Sequence, residues 1–166
     1  MSEKKRLHAG DMEVTLARHF DYRQNLIVPN VYYGLGFWHE LDLLIVRPSG
    51  YAVEVEIKVS LSDLKADKKK RHQHHSNKIK LLYFAVPEFL EAQALELIPE
   101  RAGLLIVYRE EDWDFYRVRN SNPPRIPTTN RTARKLTEKE INKLGSLATL
   151  RIWSLKECLY RLQRQK

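Results

Sequence analysis

Two β-rich segments on either side of a turn sequence constrain this chain most. Residues 37–47 and 51–59 are rich in strand formers, and they flank Pro48-Ser49-Gly50, whose glycine can adopt the left-handed conformation. The pattern predicts an antiparallel hairpin. With the loop at residues 48–50, Asp42 lies directly opposite Glu56.

This register predicts a cation site. Directly opposed residues project to the same side of a sheet with Cβ atoms roughly 5 Å apart, so the carboxylates of Asp42 and Glu56 can reach one ion. Mg²⁺ is the economical candidate, with Mn²⁺ as a substitute, because Mg²⁺ takes oxygen ligands and often only one or two carboxylates. Lys58 on the same face would orient or deprotonate a water molecule, or stabilise phosphate charge. Glu54, displaced by roughly 7 Å along the strand, is expected to lie farther from the ion.

The alternative is a solvated hairpin face on which Glu and Lys alternate for solubility. Leu44, Val46 and Ala52 share that face. The face is therefore polar at one end only, and we expect the other end to be covered. Acidic groups at the edge of a covered sheet favour a site over a solvated surface.

The remaining segments predict an α/β fold, with a mixed central sheet flanked by helices. Asp11 is placed to cap the first helix, and Ser60 with Asp63 has the spacing of a capping box. The predicted elements are a helix at 11–23, strands at 26–33, 37–47 and 51–59, a helix from 61, a strand at 79–86, a helix at 88–97, and strands at 104–108 and 115–118.

The C-terminal part of the chain differs in composition from the rest. We expect a core at residues 1–118, a polar Pro/Asn/Arg-rich connection at 119–136 that is exposed or mobile, and a basic amphipathic helical segment at 137–166. Thr137 and Glu140 form a second capping box, and the apolar stripe that follows predicts one long helix or two separated near Gly145.

The net charge of +8 is unevenly distributed. Residues 117–166 hold 13 Lys/Arg against 3 Asp/Glu, and a second basic cluster around residues 65–80 is answered locally only by Asp67. This pattern predicts a polyanion partner, with a solvated basic surface as the alternative. The residues predicted to bind nucleic acid are Lys65, Lys68, Lys69, Lys70, Arg71, Gln73 and Lys78.

Other polar and aromatic residues are given smaller roles. His72, His74 and His75 have no accompanying cysteines, so they are expected to extend the basic surface or contact phosphate and not to form a zinc site. Core packing is expected for most of the aromatic residues that could instead stack on bases. Those residues are Tyr32, Tyr33, Phe37, Trp38 and Tyr83.

A cytoplasmic location is expected. No apolar run approaches the roughly 20 residues that span a bilayer, and the charged N-terminus is not followed by an apolar signal region. The single cysteine, Cys158, suits a reducing compartment.

The arrangement around the hairpin resembles the PD-(D/E)XK, restriction-endonuclease-like phosphodiesterase superfamily over residues 11–108. An acid on the second strand is followed by a hairpin and by Glu-x-Lys on the third strand, after a helix that contains an acid. The resemblance implies that Asp42 and Glu56 are the two acids and Lys58 the lysine, and that Glu13 is a further metal ligand. Leu41 stands where the eponymous proline would be.

A second resemblance is to DNA-repair-associated proteins of the MmcB type. It rests on the stretch from Val55 through Asp67-Lys68, on Tyr83 to Pro87, and on Gly103-Leu104.

The two resemblances imply a metal-dependent DNA nuclease that acts in repair, restriction or recombination and leaves 5′-phosphate and 3′-hydroxyl ends. The alternatives are a nucleic-acid-binding module on the same fold with weak or lost catalysis, and a basic scaffold protein without a nucleic-acid role. A homodimer would let two sites cut both strands, although no residue pattern demands one.

Overall fold

The computed structural model describes residues 7–32, 35–69, 74–110, 115–119 and 123–164. Within them, a six-stranded mixed sheet has the order β1-β2-β3-β4-β5-β6. The strands are β1 (Leu26–Val31), β2 (Leu41–Val46), β3 (Ala52–Ile57), β4 (Ile79–Pro87), β5 (Gly103–Arg109) and β6 (Tyr116–Val118). The helices are α1 (Ala9–His19), α2 (Leu61–Lys68), α3 (Glu91–Leu97) and α4 (Glu138–Arg164), and a 3-10 turn at Glu88–Leu90 precedes α3. The predicted α/β class is confirmed.

The β2–β3 hairpin has the predicted register. Leu44 is opposite Glu54, and the turn is closed by a 2.8 Å hydrogen bond from the Gly50 amide to the Arg47 carbonyl. Gly50 has a φ of 84°, as the turn requires. The second strand begins at Leu41 and not at residue 37. The antiparallel hairpin is followed by parallel β3–β4 and β4–β5 pairs and an antiparallel β5–β6 pair.

The two faces of the sheet are covered by different helices. On one face, Met12 and Leu16 of α1 pack against a cluster that includes Val53 and Val55. On the other face, α4 packs over Leu44, Val46 and Ala52, while α2 and α3 pack over Leu82 and Phe84 of β4. All six residues of β3 are buried, including Glu54 and Glu56. The alternative interpretation, a solvated hairpin face, is therefore wrong.

The helix ends follow the predicted capping patterns with one correction. The first helix begins at Ala9, so Asp11 lies in its first turn and accepts a 3.0 Å hydrogen bond from the His8 amide. At α4, the amide of Thr137 donates to Glu140 at 2.8 Å, and the amide of Glu140 donates to the Thr137 hydroxyl at 3.2 Å. The last helix runs unbroken through Gly145.

The connection before α4 lies against the sheet, contrary to the expectation of an exposed or mobile segment. Its backbone is hydrogen-bonded to the core, for example from Asn130 to Lys80 at 2.9 Å and from Leu136 to Gly50 at 2.9 Å. Pro127, Ala133 and Leu136 are buried. Proline-rich composition had suggested a loop without core contacts, but these three side chains are enough to fix it.

Beyond Arg151, α4 leaves its apolar side chains exposed. None of the helices described by the structure has the length and apolar character needed to cross a membrane.

Candidate active site

The predicted carboxylates and lysine meet where β2 and β3 lie side by side. Lys58 directly follows β3, and its backbone amide donates a 3.0 Å hydrogen bond to the Ala85 carbonyl. The Lys58 Nζ atom lies 2.8 Å from Glu56 Oε2 and 3.6 Å from Asp42 Oδ2. Asp42 is held in place because its Oδ2 accepts a 2.7 Å hydrogen bond from the Ile57 amide. The structure thus brings Asp42, Glu56 and Lys58 together around one ammonium group.

The charge state of Lys58 follows from this environment. Burial alone would lower its pKa, but the carboxylates of Glu56 and Asp42 outweigh burial, so the pKa of Lys58 is raised above its ordinary value. Glu56 is shifted upwards as well, because burial raises its pKa more than the charge of Lys58 lowers it. Lys58 is therefore a permanent cation at neutral pH.

Glu13 of α1 lies within electrostatic reach of this group. Burial raises the pKa of Glu13, the charge of Asp42 raises it further, and the charge of Arg151 on α4 opposes both. The side chain of Asp42 is 33% exposed. Glu13 and Asp42 therefore form a partly open, mutually repelling pair of acids beside the buried Glu56.

A second group of side chains, which we call the histidine cluster, adjoins Glu56. It consists of His39, Glu54, Glu56 and His74. Glu54 Oε1 lies 2.8 Å from His39 Nε2 and 2.8 Å from His74 Nδ1. The two ring nitrogens are 3.1 Å apart. The sequence had set Glu54 apart from the ionic site, whereas the structure places its carboxylate between two imidazoles.

Asp67 of α2 connects the cluster to the lysine. Its Oδ2 lies 2.9 Å from His74 Nε2, and its Oδ1 lies 3.4 Å from Lys58 Nζ. Burial alone would lower the pKa of His74, but its hydrogen bonds to Asp67 and Glu54 raise that pKa to about 9. The pKa of Glu54 is lowered because hydrogen bonds from His39 and His74 outweigh the effect of burial. These groups form one continuous ionic network.

Sequence reasoning missed three members of this network. His74 is only 1% exposed and has a φ of 57°, so it does not extend a basic surface as expected. Asp67 offered a usable signal, because it is the one acid in a basic run and lies one turn after the buried Leu64 on the same side of α2. His39 lies just before β2 and offered no comparable signal.

The predicted nucleic-acid-binding residues are only partly described. Lys65, Lys68 and Lys69 are exposed on and just after α2. Lys78 is partly buried, because it pairs with Glu140 at 3.2 Å and donates to the Leu35 carbonyl. Lys70, Arg71 and Gln73 lie outside the described residues.

The aromatic residues divide between surface and core. Trp38 is 85% exposed and Tyr32 is 45% exposed. Phe37 and Tyr83 pack against the core as expected, and Tyr33 lies outside the described residues. Trp38 directly precedes His39 in the chain. An aromatic ring is therefore available to solvent close to the candidate active site.

A cleft of about 770 Å³ opens beside the histidine cluster. It is lined by Asp67 and Lys68 of α2, by His74, and by residues 96–101 at the end of α3. The network can therefore be reached from this side as well as from Asp42.

Fold and site together define an α/β protein in which two acids and a lysine meet at the neighbouring strands β2 and β3. A family model described as DNA repair protein MmcB-like matches residues 27–155. The chain belongs to the MmcB-like family, which indicates a DNA-related role. No curated protein matches.

Among solved structures, the chain is similar to a protein of unknown function from Silicibacter pomeroyi. The TM-score is 0.58 at 20% identity, covering 98% of this chain and 96% of the other. At that identity the likeness shows a shared fold and nothing further.

Proposed function

We propose that this protein is a Mg²⁺-dependent nuclease that hydrolyses phosphodiester bonds in DNA. The observation that supports it most is the convergence of Asp42, Glu56 and Lys58, with Lys58 Nζ 2.8 Å from Glu56 and 3.6 Å from Asp42. These three residues are the ones that the resemblance to PD-(D/E)XK nucleases singles out. Membership in a DNA repair family supports DNA as the substrate.

The charge and partial exposure of Asp42 and Glu13 suit a magnesium ion. Asp42 and Glu13 repel one another electrostatically, and a cation between them would relieve that repulsion. Both are carboxylates that reach solvent, which suits an ion that keeps several waters and contacts substrate phosphate. Asp42, Glu56 and Glu13 would hold the ion. When bound, Mg²⁺ supplies a Lewis acid for the phosphate and makes a coordinated water more acidic.

The chain's own contribution comes mainly from Lys58. Burial lowers the pKa of Lys58, but the carboxylates of Glu56 and Asp42 outweigh it, and this favours the ammonium form of the side chain. It can donate hydrogen bonds to a phosphate oxygen and stabilise the negative charge that develops there. Charge stabilisation is therefore the role that we propose for Lys58.

The exposed lysines are placed to hold the DNA backbone. Lys65, Lys68 and Lys69 follow one another on and after α2, whose Asp67 contacts Lys58. Each neutralised phosphate releases a condensed counterion, so binding should weaken steeply with salt.

The test is cleavage of labelled DNA and RNA structures by highly purified protein in Mg²⁺, in Mn²⁺ and in EDTA. Asp42→Ala and Lys58→Ala should each reduce cleavage by more than about 10³-fold, because each removes several kcal/mol of transition-state stabilisation. Glu40→Gln is the matched control, since Glu40 is exposed and lies two residues before Asp42.

DNA binding should survive in all three variants, since the exposed lysines on and after α2 are unchanged. If the wild type cuts no substrate in either metal, or if the variants cut as well as the wild type, the nuclease proposal fails. A nucleic-acid-binding module on the same fold then replaces it.

A further inference from the structure

The histidine cluster brings four ligand atoms from distant parts of the chain to one point. The nitrogen and oxygen atoms of His39, Glu54, Glu56 and His74 lie within 4.8 Å of one another. Glu56 Oε1 is 3.9 Å from His39 Nε2 and 3.8 Å from His74 Nδ1. With bonds of about 2.0 to 2.2 Å to Zn²⁺, tetrahedral ligand atoms stand a little over 3 Å apart. The contacts of the two imidazoles with each other and with the carboxylates, from 2.8 to 3.9 Å, bracket that spacing.

We propose that the histidine cluster binds one divalent transition metal ion, of the class of Zn²⁺ or Mn²⁺, at a position distinct from the magnesium position proposed above. Two imidazoles with two carboxylates form a mixed nitrogen and oxygen donor set. Imidazole suits zinc and other first-row transition metals, whereas magnesium takes oxygen ligands and water.

The orientation of His74 supports this assignment. Its Nε2 lies 2.9 Å from Asp67 Oδ2, which directs Nδ1 towards Glu54. A histidine that binds a metal almost always donates its other ring N–H to a carboxylate or carbonyl, which fixes the ring and raises its basicity. The Phe84 ring, whose centroid lies 5.4 Å from that of the His74 ring, gives the group an apolar wall.

Two buried carboxylate oxygens support the same conclusion. Glu54 Oε2 and Glu56 Oε1 are sealed from solvent and have no hydrogen-bond partner within the described part of the chain. Glu54 is 0% exposed and Glu56 is 1% exposed. An ionic network that only stabilised the fold would be expected to satisfy such oxygens, because an unpaired buried oxygen is costly. A bound cation would satisfy Glu56 Oε1, which lies 3.9 Å from His39 Nε2 and 3.8 Å from His74 Nδ1.

The ion also has a route to the cluster. His74 and its partner Asp67 both line the 770 Å³ cleft beside α2 and α3. Asp42 does not line that cleft, so a metal can approach the histidine cluster without passing Asp42.

The experiment measures metal binding directly, without reference to cleavage. Protein without a histidine tag is stripped with chelator, titrated with Co²⁺, Zn²⁺, Mn²⁺ or Mg²⁺, desalted and analysed for bound metal. The wild type should retain about one Zn²⁺ or Mn²⁺ per chain, and Mg²⁺ should not displace it. Bound Co²⁺ should give the intense visible absorption of a site of low coordination number that includes nitrogen ligands.

His39→Gln and His74→Gln should each weaken this binding more than about 100-fold, and Asp67→Asn should weaken it by about 10-fold to 100-fold with unchanged stoichiometry. His75→Gln is the matched control, because His75 is exposed and adjacent to His74 but outside the cluster. Circular dichroism of each variant without metal shows whether it is folded, and a variant that is folded but no longer stabilised by Zn²⁺ supports the proposal.

Three results would overturn the inference: less than half a metal per wild-type chain after desalting, equal affinity in the wild type and both histidine variants, or equal loss in His75→Gln. Its failure is distinguishable from failure of the nuclease proposal. Asp42→Asn should lose cleavage but keep the transition metal, and a protein that cuts no DNA can still bind one ion here.

Discussion

Glu56 separates two regions of the site that differ in their access to solvent. Its Oε2 meets Lys58, which leads to the partly exposed Asp42. Its Oε1 points towards the two histidines, where Glu54 and His74 are almost completely buried. The Asp42 region is partly open to solvent, whereas the buried histidine cluster can enclose a small ion. The difference teaches that a single strand can present one acidic residue to two kinds of chemistry.

The unfavourable free energy of burying charged groups explains why these residues are linked by ion pairs. Burying a charge without a partner is strongly unfavourable, so each buried carboxylate must meet a cation or hydrogen-bond donors. Lys58 forms ion pairs with Glu56 and Asp67, and His74 forms ion pairs with Glu54 and Asp67. The two regions are therefore coupled through Asp67 as well as through Glu56.

The largest expected effect comes from the residue common to both regions. Glu56→Ala should reduce cleavage by more than about 10³-fold and should also weaken Zn²⁺ binding more than about 100-fold. Asp42→Asn should fail only in the cleavage assay, and His39→Gln should lose tight metal binding. Cleavage assays and metal analysis on the same preparations measure both. If Glu56→Ala loses only cleavage or only Zn²⁺ binding, Glu56 does not act in both regions.

The proximity of Asp42, Glu56 and Lys58 could be predicted from the sequence, because it depends on a local hairpin. The turn at residues 48–50 sets the register of the hairpin, and strand alternation places Glu54, Glu56 and Lys58 on one face. Both inferences depend only on residues close together in the chain. The predicted class of fold follows from the same kind of local pattern.

The histidine cluster could not be predicted in this way. His39 and His74 lie 35 residues apart and come from segments outside the regular strands and helices. No periodicity relates their positions, and His74 stands in a run of basic residues that indicated a surface. Only the packing of α2 and the loops against the sheet brings these imidazoles to Glu54.

The second-largest effect concerns Lys58, whose ammonium group lies between the two regions. Lys58→Met should destabilise the protein by about 3–5 kcal/mol, because Asp42, Glu56 and Asp67 would lose the charge they share. Urea unfolding in EDTA measures it, with the exposed Lys65→Met as control. If Lys58→Met lowers the free energy of unfolding by less than about 1 kcal/mol, the carboxylates are already neutral in the folded protein.

The pH dependence of this contribution has a definite sign. Folding raises the pKa of Lys58, so its stabilisation is fully present below the unfolded value of about 10.4 and is lost as pH rises above it. The difference in stability between the wild type and Lys58→Met should therefore be present at neutral pH and shrink as pH rises above about 10.4.

A smaller effect is expected from Glu140 at the start of α4, which should influence the Asp42 region but not the histidine cluster. Glu140 accepts hydrogen bonds from Arg134 and Thr137 and pairs with Lys78, and α4 also carries Arg151, which acts on Glu13. Glu140→Gln should cost about 1–2 kcal/mol in unfolding free energy through the weakened cap. We expect it to reduce cleavage modestly while leaving Zn²⁺ affinity unchanged. Glu138→Gln is the matched control, since Glu138 is exposed in the same turn.

The smallest expected effect tests whether the Asp42 region receives unpaired bases. Trp38 is 85% exposed and directly precedes His39, so its ring can stack on a base without any rearrangement of the core. Base stacking on an aromatic side chain contributes about 1–3 kcal/mol. Because this ring lies at the surface, we expect Trp38→Ala to cost about 1 kcal/mol, or roughly fivefold in affinity for single-stranded DNA. Trp38→Phe should retain most of the affinity, since it keeps an aromatic face.

Fluorescence anisotropy with single-stranded and duplex oligonucleotides of one sequence measures the difference, and Zn²⁺ binding and unfolding free energy should not change. An equal loss for duplex and single strand would mean that Trp38 contacts the backbone, and no loss for either would remove it from the DNA-binding surface.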